Sequence, residues 1–180
     1  MSRDLDVALA FTLRWEGGFV NHPSDIGGAT NRGVTQATYN QWRSAKGLPT
    51  RSVRELTDEE CKQIYSQFYW APVEGRTDPG WRQFRVCLFD TFVQFGFLGG
   101  TFLWQKVAGV HPDGQWGNRT SKATEGLIAS RGVLWCALAL VGERVRYRAQ
   151  RVHQRSSQLV FLQGWLNRDT DLMLYLLDLR

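Results

Sequence analysis

Trp15-Glu16-Gly17-Gly18-Phe19-Val20-Asn21-His22-Pro23-Ser24-Asp25-Ile26-Gly27-Gly28-Ala29-Thr30-Asn31-Arg32-Gly33-Val34-Thr35 is the stretch on which the reading of this chain turns. Five glycines, one proline, two asparagines and one aspartate fall between Gly17 and Val34. Such a composition cannot continue a helix; it predicts a long structured loop or tight hairpin, with short strands near 19–21 and 33–34. Ahead of it, Leu5, Leu9 and Leu13 recur every four residues with Ala8 and Thr12 beside them. That period predicts an amphipathic helix over 4–15, ended by Gly17-Gly18.

Beyond Thr35 the pattern is helical almost throughout. Thr35 is placed to cap a helix that ends at Lys46-Gly47, and Thr57-Asp-Glu-Glu60 reads as a capping box. Cys61, Ile64, Tyr65 and Phe68 share a face up to Pro72, and Phe84, Leu88, Phe89, Phe92 and Val93 form a stripe stopped by Gly96. Further helices are expected near 101–108, 118–129, 131–150, 157–166 and 170–178. The fold class is therefore mainly α, with the Gly-rich segment after the first helix. Residues 1–90 and 91–180 are expected to form two parts packed as one compact unit.

The 180 residues are 43% hydrophobic, enough to bury a core and to exclude a disordered chain. The net charge of +5 is unevenly placed. Residues 1–90 hold 11 basic and 11 acidic side chains; residues 91–180 hold 11 and 6, so the second half carries the whole excess. Such an imbalance favours an anionic polymer as partner. Cys61, Cys87 and Cys136 are odd in number and widely spaced, each with apolar residues close by, which reads as reduced core thiols. The three histidines are scattered, with no metal-ligand spacing, so neither metal nor cofactor is expected. No secretory signal is expected at the N-terminus, and the most apolar run, Gly132–Gly142, is too short to span a bilayer.

The Gly-rich stretch carries the chemistry. Glu16 closes an apolar helix beside Trp15 and near Phe19, a setting expected to favour a protonated carboxyl and so a general acid. Asp25, nine positions on in a polar loop, is expected to stay ionised, and Thr30 adds a hydroxyl able to hold a water. Two carboxyls in unlike surroundings suit glycoside hydrolysis. An ordinary turn after a helix would explain Glu-Gly-Gly alone. It does not explain glycines interleaved with Asp, Asn and Thr over 20 residues.

These residues resemble the signature of glycoside hydrolase family 108, the N-acetylmuramidases found as phage endolysins and related bacterial proteins. Glu16-Gly17-Gly18-Phe19 with Asn21, Pro23 with Asp25, Gly27-Gly28 with Thr30, and Gly33-Val34-Thr35 match its elements, and Gln36-Ala-Thr-Tyr39 and Tyr69-Trp70-Ala-Pro72 continue them. The order Glu, Asp, Thr also resembles the catalytic triad of phage-type lysozymes, though the Asp-to-Thr gap is five rather than six. The second half resembles the peptidoglycan-binding region that follows in this family, through Leu103-Trp-Gln105, Asp113-Gly114, Gly117, Thr120 and Gly164-Trp-Leu-Asn167-Arg168; Gln94-Phe95-Gly96 departs from the usual Asn-Ser-Gly. The resemblance implies a lysozyme-like helical globule that cleaves the β-1,4 bond between N-acetylmuramic acid and N-acetylglucosamine. Glu16 is implied as acid, with Asp25 and Thr30 assisting. It also implies a monomer that waits in the host cytoplasm for a holin to open the way to the wall.

Asn21, Gln36, Tyr39, Trp70, Gln105 and Asp113 are expected to contact substrate. Arg144, Arg148, Arg151 and Arg155 follow i, i+4, i+7, i+11 spacing and are expected to form one outward stripe facing the anionic cell envelope. Aromatic interleaving in that run is limited to Tyr147, which argues against nucleic acid. The competing reading is a non-catalytic peptidoglycan-binding or secretion-associated protein on the same scaffold.

Overall fold

The computed structural model describes residues 3–21 and 28–179. The first helix, α1 (Arg3–Trp15), sets Leu5, Ala8, Leu9, Phe11 and Thr12 into the core. Past Gly28 the chain forms a minimal hairpin of β1 (Thr30–Asn31) and β2 (Val34–Thr35), paired Thr30 to Thr35 and Asn31 to Val34. Arg32 at φ 50 and Gly33 at φ 74 make its turn. Two positive φ values in a row define the type I′ turn, whose twist matches that of the strands. Val20 pairs with Thr30 as a single bridge, so the strand expected near 19–21 is reduced to one residue.

Thr35 caps α2 (Gln36–Ala45), accepting from the Thr38 amide at 3.2 Å. Thr57 and Glu60 complete the expected capping box at the start of α3 (Asp58–Tyr65). A wider turn over Ser66–Trp70, with π-type hydrogen bonding, leads into the short α4 (Ala71–Glu74). The second half holds α5 (Arg82–Ala108), α6 (Asn118–Arg131), α7 (Val133–Gln154) and α8 (Leu159–Asp178). Gly96, at φ 69 and ψ 169, is non-helical and divides α5 at a kink into two helical segments, the first stopping where the sequence placed the end of the Phe84–Val93 stripe.

The core gathers around α5, which packs against α1, α7 and α8, while α7 packs along α8. Phe84, Phe89, Phe92 and Trp104 are completely or almost completely buried. Each such ring contributes about 1.5–3 kcal/mol through its burial. By length and composition α5 could cross a membrane, but here it is the central core helix. The three cysteines are free and buried; burial pushes Cys61 and Cys136 up to about 11 and Cys87 up to about 12, so all three stay protonated and inert at neutral pH.

Two sequence expectations change. The segments expected at 157–166 and 170–178 are one helix, α8. The polar run around Asn167–Thr170 suggested a break, yet Arg168 and Asp169 turn inward and are buried there. The arginine stripe of α7 is real as a stripe, but it does not face outward along its length. Arg144 has no exposed surface and Arg148 only 3%, because both meet carboxylates inside the protein. Arg144 and Arg148 are therefore not available to the cell envelope; of the four, only Arg155 is exposed and Arg151 half-buried.

Candidate active site

Glu16 follows the last residue of α1 directly, with its side chain 15% exposed. The hairpin turn is fastened beside it: the Arg32 amide donates to the Gly17 carbonyl at 3.0 Å, and the Tyr65 hydroxyl donates to the Arg32 carbonyl at 2.9 Å. A methyl group at Gly33 would lie 2.7 Å from Glu16 Oε2 and 2.5 Å from the Tyr65 hydroxyl. Only glycine serves both the positive φ and this close approach. A cleft of about 650 Å³ opens alongside, bounded by Leu9, Leu13 and Arg14 of α1, by Glu16 to Gly18, and by Arg32, Asp58 and Lys62.

The setting of Glu16 is not the purely apolar one expected. Arg168, from α8, donates through Nη1 to Glu16 Oε1 at 2.9 Å, and its Nη2 donates to Asp90 Oδ1 of α5 at 2.6 Å. Thr12 of α1 donates to the same Asp90 oxygen at 3.0 Å, and Arg144 Nη1 donates to Asp90 Oδ2 at 2.9 Å. Arg144 Nη2 approaches Asp169 Oδ1 to 2.7 Å as an ion contact, without the alignment of a hydrogen bond. Asp169 in turn accepts from Arg148. Three guanidiniums thus interleave with three carboxylates in a chain from Glu16 to Arg148.

This neutral arrangement is what makes so much buried charge tolerable, since an unpaired ion in the interior costs several kcal/mol. Burial pushes Asp90 upward, but the Arg144 and Arg168 guanidiniums outweigh it and hold the carboxyl below its usual range. Asp169 goes the other way, burial prevailing over Arg144 and Arg148. Burial also lowers Arg148 to about 10, still charged at neutral pH. The Tyr65 and Tyr69 hydroxyls are both raised, by burial first and then by the Glu16 charge, so they stay neutral donors near that carboxyl.

The expected site residues divide sharply. Asp25 lies outside the described residues. Thr30 sits on β1, its hydroxyl donating to the Gly28 carbonyl at 3.3 Å, and Asn21 is exposed just before the undescribed segment. Gln36 is tied into the fold, donating to Asn40 Oδ1 and the Arg51 carbonyl at 2.8 Å each and accepting from the Val53 amide at 2.7 Å. Tyr39 is fully buried, its hydroxyl donating to Glu60 Oε2 at 2.8 Å and accepting from Arg43 and Arg51. Trp70 is buried against Phe89 and Arg85. Gln105, also buried, braces the loop after α5 through Asp113, Gln115, Thr120 and Gly114. Tyr39, Trp70 and Gln105 are buried in packing and loop support, which corrects the expectation that they reach substrate, while Gln36 is half-buried and held by its neighbours. Asp113 remains exposed, in a separate hollow of about 450 Å³ with Trp116 and Arg119.

The residues that sequence reasoning missed are Arg168 and Asp90, with Tyr65 and Tyr69 beside them. The signal was present in part: Arg168-Asp169 is a charged pair lying between Trp165-Leu166 and the apolar run Leu172–Leu177, which points to a buried pairing.

A helical globule with a carboxyl at the end of its first helix, beside a small hairpin and an open cleft, defines a lysozyme-like glycoside hydrolase. Residues 9–96 match the model of the family described as "Glycosyl hydrolase 108", and residues 100–170 match that of the "Predicted Peptidoglycan domain". Among solved structures the chain is similar to the one titled "Structure of Brucella abortus SagA", with 28% identity and a TM-score of 0.71, over 96% of this chain and 93% of that one. No curated protein sequence matches it. The chain is a lysozyme-like glycoside hydrolase directed at peptidoglycan, similar to the glycosyl hydrolase 108 family over residues 9–96 and to a peptidoglycan domain over the segment that follows.

Proposed function

We propose that this enzyme hydrolyses the β-1,4 bond between N-acetylmuramic acid and N-acetylglucosamine, with Glu16 protonating the leaving oxygen. The observation that carries the reading is the asymmetric seating of Glu16. Arg168 engages Oε1, while Oε2 lies toward Gly33 and Glu16 itself lines the cleft. A proton on Oε2 leaves the Arg168 contact intact, because a neutral carboxyl still accepts on its other oxygen. Asp90 fixes Arg168 from behind, so the acid is held in one rotamer, as proton transfer requires.

Asp25, with Thr30, is assigned to the water that attacks from the opposite face, which makes the reaction inverting. In that geometry the two carboxyls stand ~6.5–9.5 Å apart. The finer biological reading, an endolysin held in the host cytoplasm until a holin releases it, has the family resemblance as its support.

The test is digestion of purified peptidoglycan with the wild-type chain and with Glu16→Gln, followed by mass spectrometry. Fragments ending in reducing N-acetylmuramic acid are expected from the wild type. The variant is expected to be slower by about 10²–10⁴-fold, the usual worth of a positioned general acid. A variant that digests at the wild-type rate, or anhydromuramic products from the wild type, would overturn the assignment.

A further inference from the structure

Past Arg148, α7 continues to Gln154 and carries its stripe out of the interior. Arg151 is half-buried and Arg155 exposed, and among the described residues neither has a carboxylate partner. The Arg151 guanidinium makes one hydrogen bond, from Nε to Gln158 Oε1 at 3.3 Å. Its Nη groups have no counter-charge.

Two adjoining grooves, of about 330 and 280 Å³, meet at Tyr147 and Arg151. Their cations are Lys106, Arg148, Arg151 and Arg155, and no aspartate or glutamate lines either. Lys106 and Arg148 are already paired, with Glu143 and Asp169. The walls are aromatic: Phe95 meets Tyr147 edge-on at 5.7 Å, and the Arg148 guanidinium lies over both Phe95 and Trp165, 5.1 and 5.6 Å from the ring centres. Gln94, Gln150 and Gln154 add primary amides along the edges.

Each component selects a feature of the ligand. Unpaired guanidiniums favour carboxylates, which they grip with two parallel bonds. Glutamine amides offer both a donor and an acceptor, the complement of a peptide group. Aromatic walls take apolar side chains or sugar faces. A lipid surface would call for cations on a convex face, whereas these line a concave one.

Resting on the peptidoglycan reading above, we propose that this double groove binds the carboxylate-bearing stem peptide attached to the glycan strand, with Arg151 and Arg155 holding its carboxylates. The groove is rigidly tied to the catalytic carboxyl. Arg148 in its wall pairs with Asp169, whose neighbour Arg168 holds Glu16. A peptide seated there would register the strand relative to the acid.

The experiment uses the full chain carrying Glu16→Gln, so that the substrate stays intact. Co-sedimentation is measured with purified sacculi, and with the same sacculi after an amidase has removed the stem peptides. The Glu16→Gln chain is expected to bind intact sacculi more tightly than stripped ones. Adding Arg151→Glu and Arg155→Glu is expected to weaken binding to intact sacculi by about tenfold and to abolish the preference. Retention of the thermal midpoint shows that the added charges have not unfolded the chain. Equal loss on both substrates, no loss on either, or a preference transferred to anionic phosphatidylglycerol vesicles overturns the stem-peptide assignment. If the Glu16→Gln chain binds neither form of sacculus, the peptidoglycan reading itself falls; if it binds both equally, only the groove assignment falls.

Discussion

Arg144 lies within α7 and Arg155, 11 residues on, caps its end, and the two live in opposite worlds. Arg144 is sealed in the protein between Asp90 and Asp169, while Arg155 stands exposed without a carboxylate among the described residues. Helical spacing groups them, but it says nothing about what the stripe meets. What separates them is the neighbourhood: α5 and α8 bring Asp90 and Asp169 to the first half of the stripe, and amides, aromatic rings and Lys106 to the second. The same residue type therefore serves stability at one end and remains free for a ligand at the other.

The largest effect should come from breaking the buried end. Arg144→Ala leaves Asp90 and Asp169 short of a counter-charge in the interior, and such a loss costs about 3–5 kcal/mol. Urea unfolding monitored by tryptophan fluorescence measures it, and a change below 1 kcal/mol would show that water or repacking compensates. Acid provides a second probe. The folded Asp90 carboxyl lies below its usual range, so its stabilising contribution is complete above the unfolded value of about 3.9 and fades as pH drops through the lower folded value. Asp169, raised by burial, has the reverse sign: its contribution is complete at low pH and is lost as pH rises through its folded value. Asp90→Asn should therefore flatten the acid limb of the stability curve, and an unchanged limb would assign acid unfolding to other carboxyls. The smallest effect belongs to the exposed end, where Arg155→Ala should shift stability by no more than about 0.5 kcal/mol. A larger loss there would erase the contrast between the two ends.

What the sequence made legible is local. The α1 period, the Gly17-Gly18 stop, the Thr35 cap and the Thr57 capping box are all encoded within four or five residues, and each stands where its pattern put it. Glu16 could be picked out as a candidate because its motif is written in the same 20 residues as the hairpin. Arg168 could not, because its partners Asp90 and Glu16 lie 78 and 152 positions away. The misreading of α8 as two segments has the same origin: residues that look like a polar break belong to an ion chain that only the folded arrangement completes. Tyr39 and Gln105 show the converse error. A polar side chain near a motif suggests a ligand contact, but backbone carbonyls, amides and buried guanidiniums are closer claimants.

Arg168 falls within the segment matched to the peptidoglycan domain, while the carboxyl it steadies falls within the hydrolase segment. The two family segments meet at the Gly96 kink of α5, between residues 96 and 100. Cutting there would part the two halves of α5 and strip Glu16 of its cationic support. Anyone recombining wall-targeting modules among such enzymes should treat this chain as indivisible, because the second segment supplies the guanidinium that pairs with Glu16 of the first.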